Sequence, residues 1–154
     1  MGYDKWNYKT YNEKNNNYQD KNKNRFKCKV ENVNIDNYVD MAEKVINNLP
    51  KDKDQRIKLT TSQIRNILGM TSDIYNDARF SSEELDDKIR ERVQYLKLHI
   101  VYAAGRDNIV KDFVDYASIV EFINIIGRSK EKLILFCHYM EALVAYRKYS
   151  GNDK

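Results

Sequence analysis

The sequence predicts an all-α fold: a single-domain bundle of about five helices behind a disordered N-terminal tail. Three observations carry this. From residue 34 onward the apolar side chains recur at helical spacing. The only proline is Pro50, so residues 51–154 contain no proline break. No segment alternates with the period of two that a half-buried strand requires. The chain divides into residues 1–33 (tail), 34–151 (helical domain) and 152–154 (C-terminal tail).

The first helix is expected over 35–49, with Tyr38, Met41, Ala42, Val45, Ile46 and Leu49 on one face. "PKDKDQR" (50–56) is a polar loop. The second helix runs over 61–79, turns Ile64, Ile67, Leu68, Thr71 and Tyr75 inward, and opens on the T-x-x-Q capping box of Thr60 and Gln63. Ser62, Arg65 and Gly69 then lie along its outward ridge. The third helix runs over 82–104, capped by Ser81 with Glu84 and ended by Gly105. It is apolar on more than one side, with Leu85, Ile89, Val93, Leu96 and Ile100 on one stripe and Leu98 and Val101 beside it, which predicts a central position. The fourth helix is expected over 108–126, ended by Gly127, and the fifth over 130–149, ending near Gly151.

Residues 1–33 are rich in Asn, Lys and Tyr and poor in aliphatic side chains. Such a segment buries too little apolar surface to offset its ordering entropy, so it is expected to be disordered. It carries eight lysines and arginines against four aspartates and glutamates. That excess equals the whole chain's net charge of +4, so the helical domain is neutral. Any nucleic-acid surface on the domain must arise from the arrangement of its charges. The tail's aromatics (Tyr3, Trp6, Tyr8, Tyr11, Tyr18) interleave with lysines, a pattern able to stack on bases, though a solvated tail explains it more simply.

Several function classes are excluded. No apolar run approaches the roughly 18–20 residues of a membrane span, and the N-terminus lacks the apolar core of a secretory signal. The protein is therefore expected to be cytoplasmic, without a membrane partner. Two cysteines, Cys28 and Cys137, give neither a disulfide framework nor a zinc site and read as free thiols. There is no glycine-rich phosphate loop, H-E-x-x-H or C-x-x-C. His138 and Glu141 give the reverse of a di-iron Glu-x-x-His, once only. No metal and no cofactor are expected.

A basic-aromatic pattern remains. Lys88, Arg92, Tyr95, His99 and Tyr102 follow one another at helical steps of three and four, with Arg106 just beyond. Arg90 and Lys97 form a second basic pair, and Arg128, Lys130 and Lys132 surround the start of the last helix, where backbone amides attract anions. Arg92 and His99 are two turns apart on one face. That spacing resembles the Arg–His signature of the all-helical HEPN ribonucleases, in which an arginine stabilises a phosphorane while a histidine moves protons. Val93, after the arginine, departs from the polar residue usual there.

"KLTTSQIRNIL" (58–68), "YLKLHIVYAAGRD" (95–107) and "FCHYMEALVAYRKYSG" (136–151) occur in this order behind a Lys/Asn-rich tail. Together they resemble the small subunit of type III-A CRISPR effector complexes, over about residues 35–151. The resemblance implies a non-catalytic, RNA-binding structural subunit of a ribonucleoprotein for antiviral defense. Such subunits stack in several copies along the duplex of guide RNA and target RNA and touch its backbone without reading sequence. The implied partners are both RNA strands, other copies of the chain, and the backbone and large subunits of the complex. Lys58, Arg65, Lys97 and Arg106 fall within the matching motifs and are the expected phosphate contacts. Arg79, Arg128, Lys130 and Lys132 join them on charge alone. Tyr139, Glu141 and Tyr146 are assigned to packing or subunit contact. The alternatives are a HEPN-like helical ribonuclease using Arg92 and His99, and a purely structural spacer.

Overall fold

The computed structural model describes residues 25–151, which form six α-helices: α1 (Tyr38–Asn48), α2 (Thr61–Ala78), α3 (Asp87–Arg106), α4 (Asn108–Tyr116), α5 (Ile119–Ile126) and α6 (Lys130–Tyr149). The all-α expectation holds, with one helix more than the periodicity suggested. A single 3-10 turn, Val30–Asn32, precedes α1.

α6 is the central helix. Leu133, Phe136, Cys137, Tyr139, Met140, Ala142 and Leu143 are all buried, and α6 packs against α1, α2 and α5. Phe122 of α5 meets Phe136 edge-on at 5.3 Å and stacks with Tyr139 at 5.5 Å. Burying each such ring or leucine contributes about 1.5–3 kcal/mol, so the core needs neither metal nor disulfide. The apolar pattern pointed to the 82–104 helix as the centre, and the structure corrects this. α3 packs against α2, α4 and α5 and buries only the stripe Ile89, Val93, Leu96, Ile100 and Ala104. Its second apolar set is uncovered: Leu98 is 62% and Tyr102 63% exposed, beside exposed Tyr95 and Val101.

The start of α3 also differs from expectation. Ser81 does not cap it; its hydroxyl donates to the carbonyl of Ala78 at 2.7 Å. Residues 83–85 instead run beside 128–130, with the Leu85 N–H donating to the Arg128 carbonyl (2.8 Å) and the Lys130 N–H to that of Glu83 (3.1 Å). The helix begins only after this extended pairing, where Asp86 accepts from the Ile89 N–H at 2.9 Å. At the other end Gly105 lies inside α3, not beyond it. Asp107 ends α3 and caps α4, accepting from the Ile109 N–H at 2.9 Å.

The helix expected over 108–126 is broken at Ala117–Ser118, where Ser118 is left-handed with φ 52°. The cause is the chain before the domain. Residues 25–29 lie against the break: the Cys28 N–H donates to the Tyr116 carbonyl at 2.8 Å, and Ser118 Oγ donates to the Cys28 carbonyl at 2.5 Å. Tyr139 Oη donates to the Ala117 carbonyl at 2.9 Å. The carbonyls that the broken helix releases are thus satisfied inside the core. Ion pairs of Arg25 with Asp112 and Lys27 with Glu121, both 2.7 Å, hold the same segment. Cys28 and Val33 are buried, so the part of the expected disordered tail over 25–33 belongs to the fold. The rest of that expectation, 1–24, lies outside the described residues, as does the tail at 152–154.

Candidate nucleic-acid interface

The capping box at the start of α2 forms as its sequence requires. Gln63 N–H donates to Thr60 Oγ1 (3.2 Å), and the Thr60 N–H donates to Gln63 Oε1 (2.8 Å). The remaining half of the Gln63 amide, Nε2, donates to Asp107 Oδ2 at 2.8 Å. This contact joins the start of α2 to the end of α3. At the other end of the pair Arg92 of α3 forms an ion pair with Asp77 of α2. The two helices therefore lie antiparallel, and these contacts fix which cations share an end.

Lys58, Arg65 and Arg106 gather at the Gln63–Asp107 end, all three exposed. Arg65 makes no ion pair or side-chain hydrogen bond with any described residue. It stands on the outward ridge with Ser62 and Gly69, both exposed. Nothing lies within 4 Å of where a Cβ would sit on Gly69, and the same is true of Gly105, the neighbour of Arg106. Glycine inside a helix costs about 0.5–1 kcal/mol relative to alanine. Neither the packing nor a positive φ requires it at these two positions. Gly69 leaves a low surface one turn from Arg65 on the same ridge, whereas Gly105 and Arg106, consecutive in α3, point in different directions. Farther along the ridge the exposed carboxylates of Asp73 and Asp77 limit the cationic surface to its N-terminal half.

Arg79, Arg128, Lys130 and Lys132 gather at the opposite end, about 21 Å from Arg65 along α2 at 1.5 Å per residue. Two of the four, Lys130 and Arg128, are engaged by side-chain hydrogen bonds. Lys130 Nζ donates to the carbonyls of Arg79 (3.2 Å) and Ser81 (2.8 Å), closing the end of α2. Arg128 pairs with Glu84 at 3.1 Å, and Arg79 lies over the Phe80 ring at 5.0 Å. Lys132 is exposed, and its backbone N–H is capped by Ser129 Oγ at 3.2 Å. The free amides expected at the start of α6 are thus partly satisfied by Ser129.

Lys97 joins neither group. Nine residues separate it from Arg106, about two and a half turns at 3.6 residues per turn, so the two project from opposite flanks of α3. The Arg92 flank faces α2, whereas Arg90 and Gln94 border a groove with Ile123 and Asn124 of α5. Between the flanks runs the uncovered ridge of Tyr95, Leu98, Val101 and Tyr102. Arg106 lies over the Tyr102 ring at 5.6 Å.

The Arg92–His99 pair is separated by about 10 Å along α3. Asp77 holds Arg92, and His99 packs edge-on against Tyr95 at 4.5 Å. Among the described residues no three of His, Cys, Asp and Glu converge as a metal site requires. Burial pushes the Cys137 thiol up to about 12, with Glu141 adding to the shift, and burial likewise raises Cys28. Both thiols are free and protonated at neutral pH. No described helix is long and apolar enough to cross a membrane.

The sequence did not reveal three features of this region. Gly105 read as a helix stop because glycine commonly ends helices, and it lies inside α3. Leu98 and Val101 read as a second buried side of a central helix, whereas both are exposed. Arg147 went unassigned, although it continues the apolar series Phe136, Met140, Leu143 at helical steps; a charged residue on a buried stripe was the available signal.

The family model for Csm2 of type III-A matches residues 32–153. The chain is 44% identical over 115 residues to a CRISPR system Cms protein Csm2 of Mycobacterium tuberculosis (strain CDC 1551 / Oshkosh), covering 74% of this chain and 91% of that protein. It is 45% identical over 119 residues to the protein of the same name from Streptococcus thermophilus, covering 77% and 95%. A third, from Enterococcus italicus, is 30% identical over 122 residues, covering 72% and 87%. The chain belongs to the type III-A Csm2 family.

Proposed function

We propose that this protein is a non-catalytic structural subunit of a type III-A CRISPR ribonucleoprotein acting in antiviral defense. It lies in several copies along the duplex of guide RNA and target RNA and holds the phosphate backbone through the Lys58–Arg65–Arg106 end of α2 and α3. The observation that carries this reading is Arg65 and Gly69 one turn apart on the exposed ridge of α2: a cation beside a helix glycine that the fold does not need. Lysine and arginine on phosphates bind without reading sequence, and an A-form duplex is recognised by shape. The names of the relatives place them in CRISPR systems.

The exposed ridge of α3 supplies the contact surface that repeated stacking needs. Isolated exposed leucines are ordinary, but four large apolar side chains in one row mark an interaction face. Lys97 and the opposite-end cations Arg79, Arg128, Lys130 and Lys132 are secondary contacts in this reading. Binding rather than cleavage is supported by Arg92, whose charge rests on Asp77. The experiment is anisotropy of labelled A-form RNA duplex with the full chain at low salt, over Arg65→Ala, Lys58→Ala and Arg106→Ala. Each substitution lowers affinity for all sequences alike and flattens the salt slope of log affinity by about 0.9. RNA cleavage abolished by His99→Ala would instead establish the ribonuclease.

A further inference from the structure

The segment that delivers Lys58 to the surface is held by an unusual group. Arg147, in the last turn of α6, is 1% exposed. Its Nε donates to the carbonyl of Leu59, and its Nη1 donates to the carbonyl of Gly151 at 3.0 Å. A buried guanidinium is costly unless its donors are matched, and apolar residues of similar volume pack as well at lower cost. A stripe that already carries Phe136, Met140 and Leu143 does not need an arginine for packing.

The placement of its acceptor suggests the reason. Leu59 lies between Lys58 and Thr60, and the backbone N–H of each of these neighbours is also tied. The Lys58 N–H donates to the Pro50 carbonyl at 3.1 Å, and the Thr60 N–H to Gln63 Oε1 at 2.8 Å. The carbonyl of Leu59 is the third tie, and it reaches across the fold to a different helix. Arginine suits this task because its planar fork spans two acceptors in fixed directions, whereas lysine offers one flexible point charge.

We infer that Arg147 is a positioning residue for RNA binding: by holding the Leu59 carbonyl it fixes the backbone from which Lys58 reaches the phosphate. This rests on the proposed phosphate contact of Lys58. Arg147 touches no RNA itself. Its contribution is that the lysine's backbone is ordered before binding, so that ordering entropy is not lost when the complex forms.

The test uses the full chain, an A-form RNA duplex and three variants: Lys58→Ala, Arg147→Lys and the double variant. Arg147→Lys keeps the charge and most of the volume but gives up the two-carbonyl fork. Helical content is checked by circular dichroism, and affinity is measured well below the melting temperature. The expected result is that Lys58→Ala and Arg147→Lys each weaken binding severalfold and flatten the salt slope, and that the double variant is no flatter than Lys58→Ala alone. A merely structural arginine would lower the melting temperature and leave the slope unchanged, and that result overturns the inference. If Lys58→Ala is itself silent, the phosphate contact and the positioning role fall together. If Lys58→Ala weakens binding and Arg147→Lys does not, only the positioning role falls. Should Arg147→Lys fail to fold, Arg147→Gln, which keeps a single donor, takes its place in the same salt series: a flattened slope that Lys58→Ala does not flatten further supports the inference, and an unchanged slope overturns it.

Discussion

Gln63 donates its side-chain amide to the carboxylate of Asp107 at 2.8 Å, while the same side chain closes the capping box with Thr60. One residue therefore starts α2 and joins it to the α3–α4 junction. Capping alone tolerates glutamate at this position, since a carboxylate accepts from the Thr60 N–H equally well. The link to Asp107 does not, because it would set two carboxylates against each other. Gln63→Glu is expected to lower stability by about 1–2 kcal/mol, as a missing donor and a new repulsion together suggest. Urea unfolding checks this, and an unchanged midpoint would mean that the Gln63–Asp107 hydrogen bond contributes nothing.

Gly69→Ala separates fold from function. There is room for the added methyl, and alanine favours the helix, so stability should rise by about 0.5–1 kcal/mol. RNA affinity should fall, because the methyl occupies the low surface beside Arg65. Thermal melts and duplex anisotropy on one preparation read both effects. A gain in stability with unaltered affinity would remove Gly69 from the site.

The exposed row on α3 yields a third expectation. Leu98→Glu and Tyr102→Glu place a charge where the side chain is already in water, so the melting temperature should move little. Incorporation into the assembled ribonucleoprotein should fall sharply, as measured by co-purification with the other subunits. Normal incorporation of both variants would show that this row faces solvent in the complex as well.

The two thiols give a pH dependence. From the ordinary thiol value of 9.0, burial in the fold pushes Cys137 up to about 12. The folded chain thus holds the proton more tightly than the unfolded one. The stability this represents is fully present below pH 9.0 and is lost as pH rises through about 12. The native chain should resist alkylation at about pH 8, whereas the urea-unfolded chain should take two labels. Cys137→Ala should lose less stability than the unaltered chain as the buffer is raised above pH 9.0. Labelling of the native chain at the unfolded rate would contradict the burial.

Much of the fold was legible because α1 and α2 carry clean apolar stripes, α6 is a long proline-free apolar run, and α2 and α6 open on local caps, Thr60 and Ser129. The rest depended on contacts distant in sequence. Residues 25–33 look disordered by composition because their order comes from elsewhere: Cys28 packs where Ser118 breaks a helix, and each needs the other. Neither half of that contact has a local signal, so the missed segment and the extra helix have a single cause. Asp86 replaced Ser81 as a cap because residues 83–85 are held by 128–130. For the candidate site, the ridge of Ser62, Arg65 and Gly69 follows from helical phase alone. Which cations share an end does not, since it depends on the antiparallel pairing fixed by Gln63–Asp107 and Asp77–Arg92. The reach of Lys130 back to two carbonyls was likewise invisible in the linear order of basic residues.

If Arg65 and Lys58 hold the RNA backbone while the chain itself performs no chemistry, the effect must appear in the whole assembly. The most direct measurement is target-RNA affinity of the assembled ribonucleoprotein with Arg65→Ala and Lys58→Ala combined in every copy, read across a salt series. Assembly should be normal, and target binding should weaken for every target sequence. The salt slope should flatten by about 0.9 for each phosphate that is no longer neutralised. Unchanged affinity and slope in a fully assembled complex would contradict the phosphate-holding role of both residues.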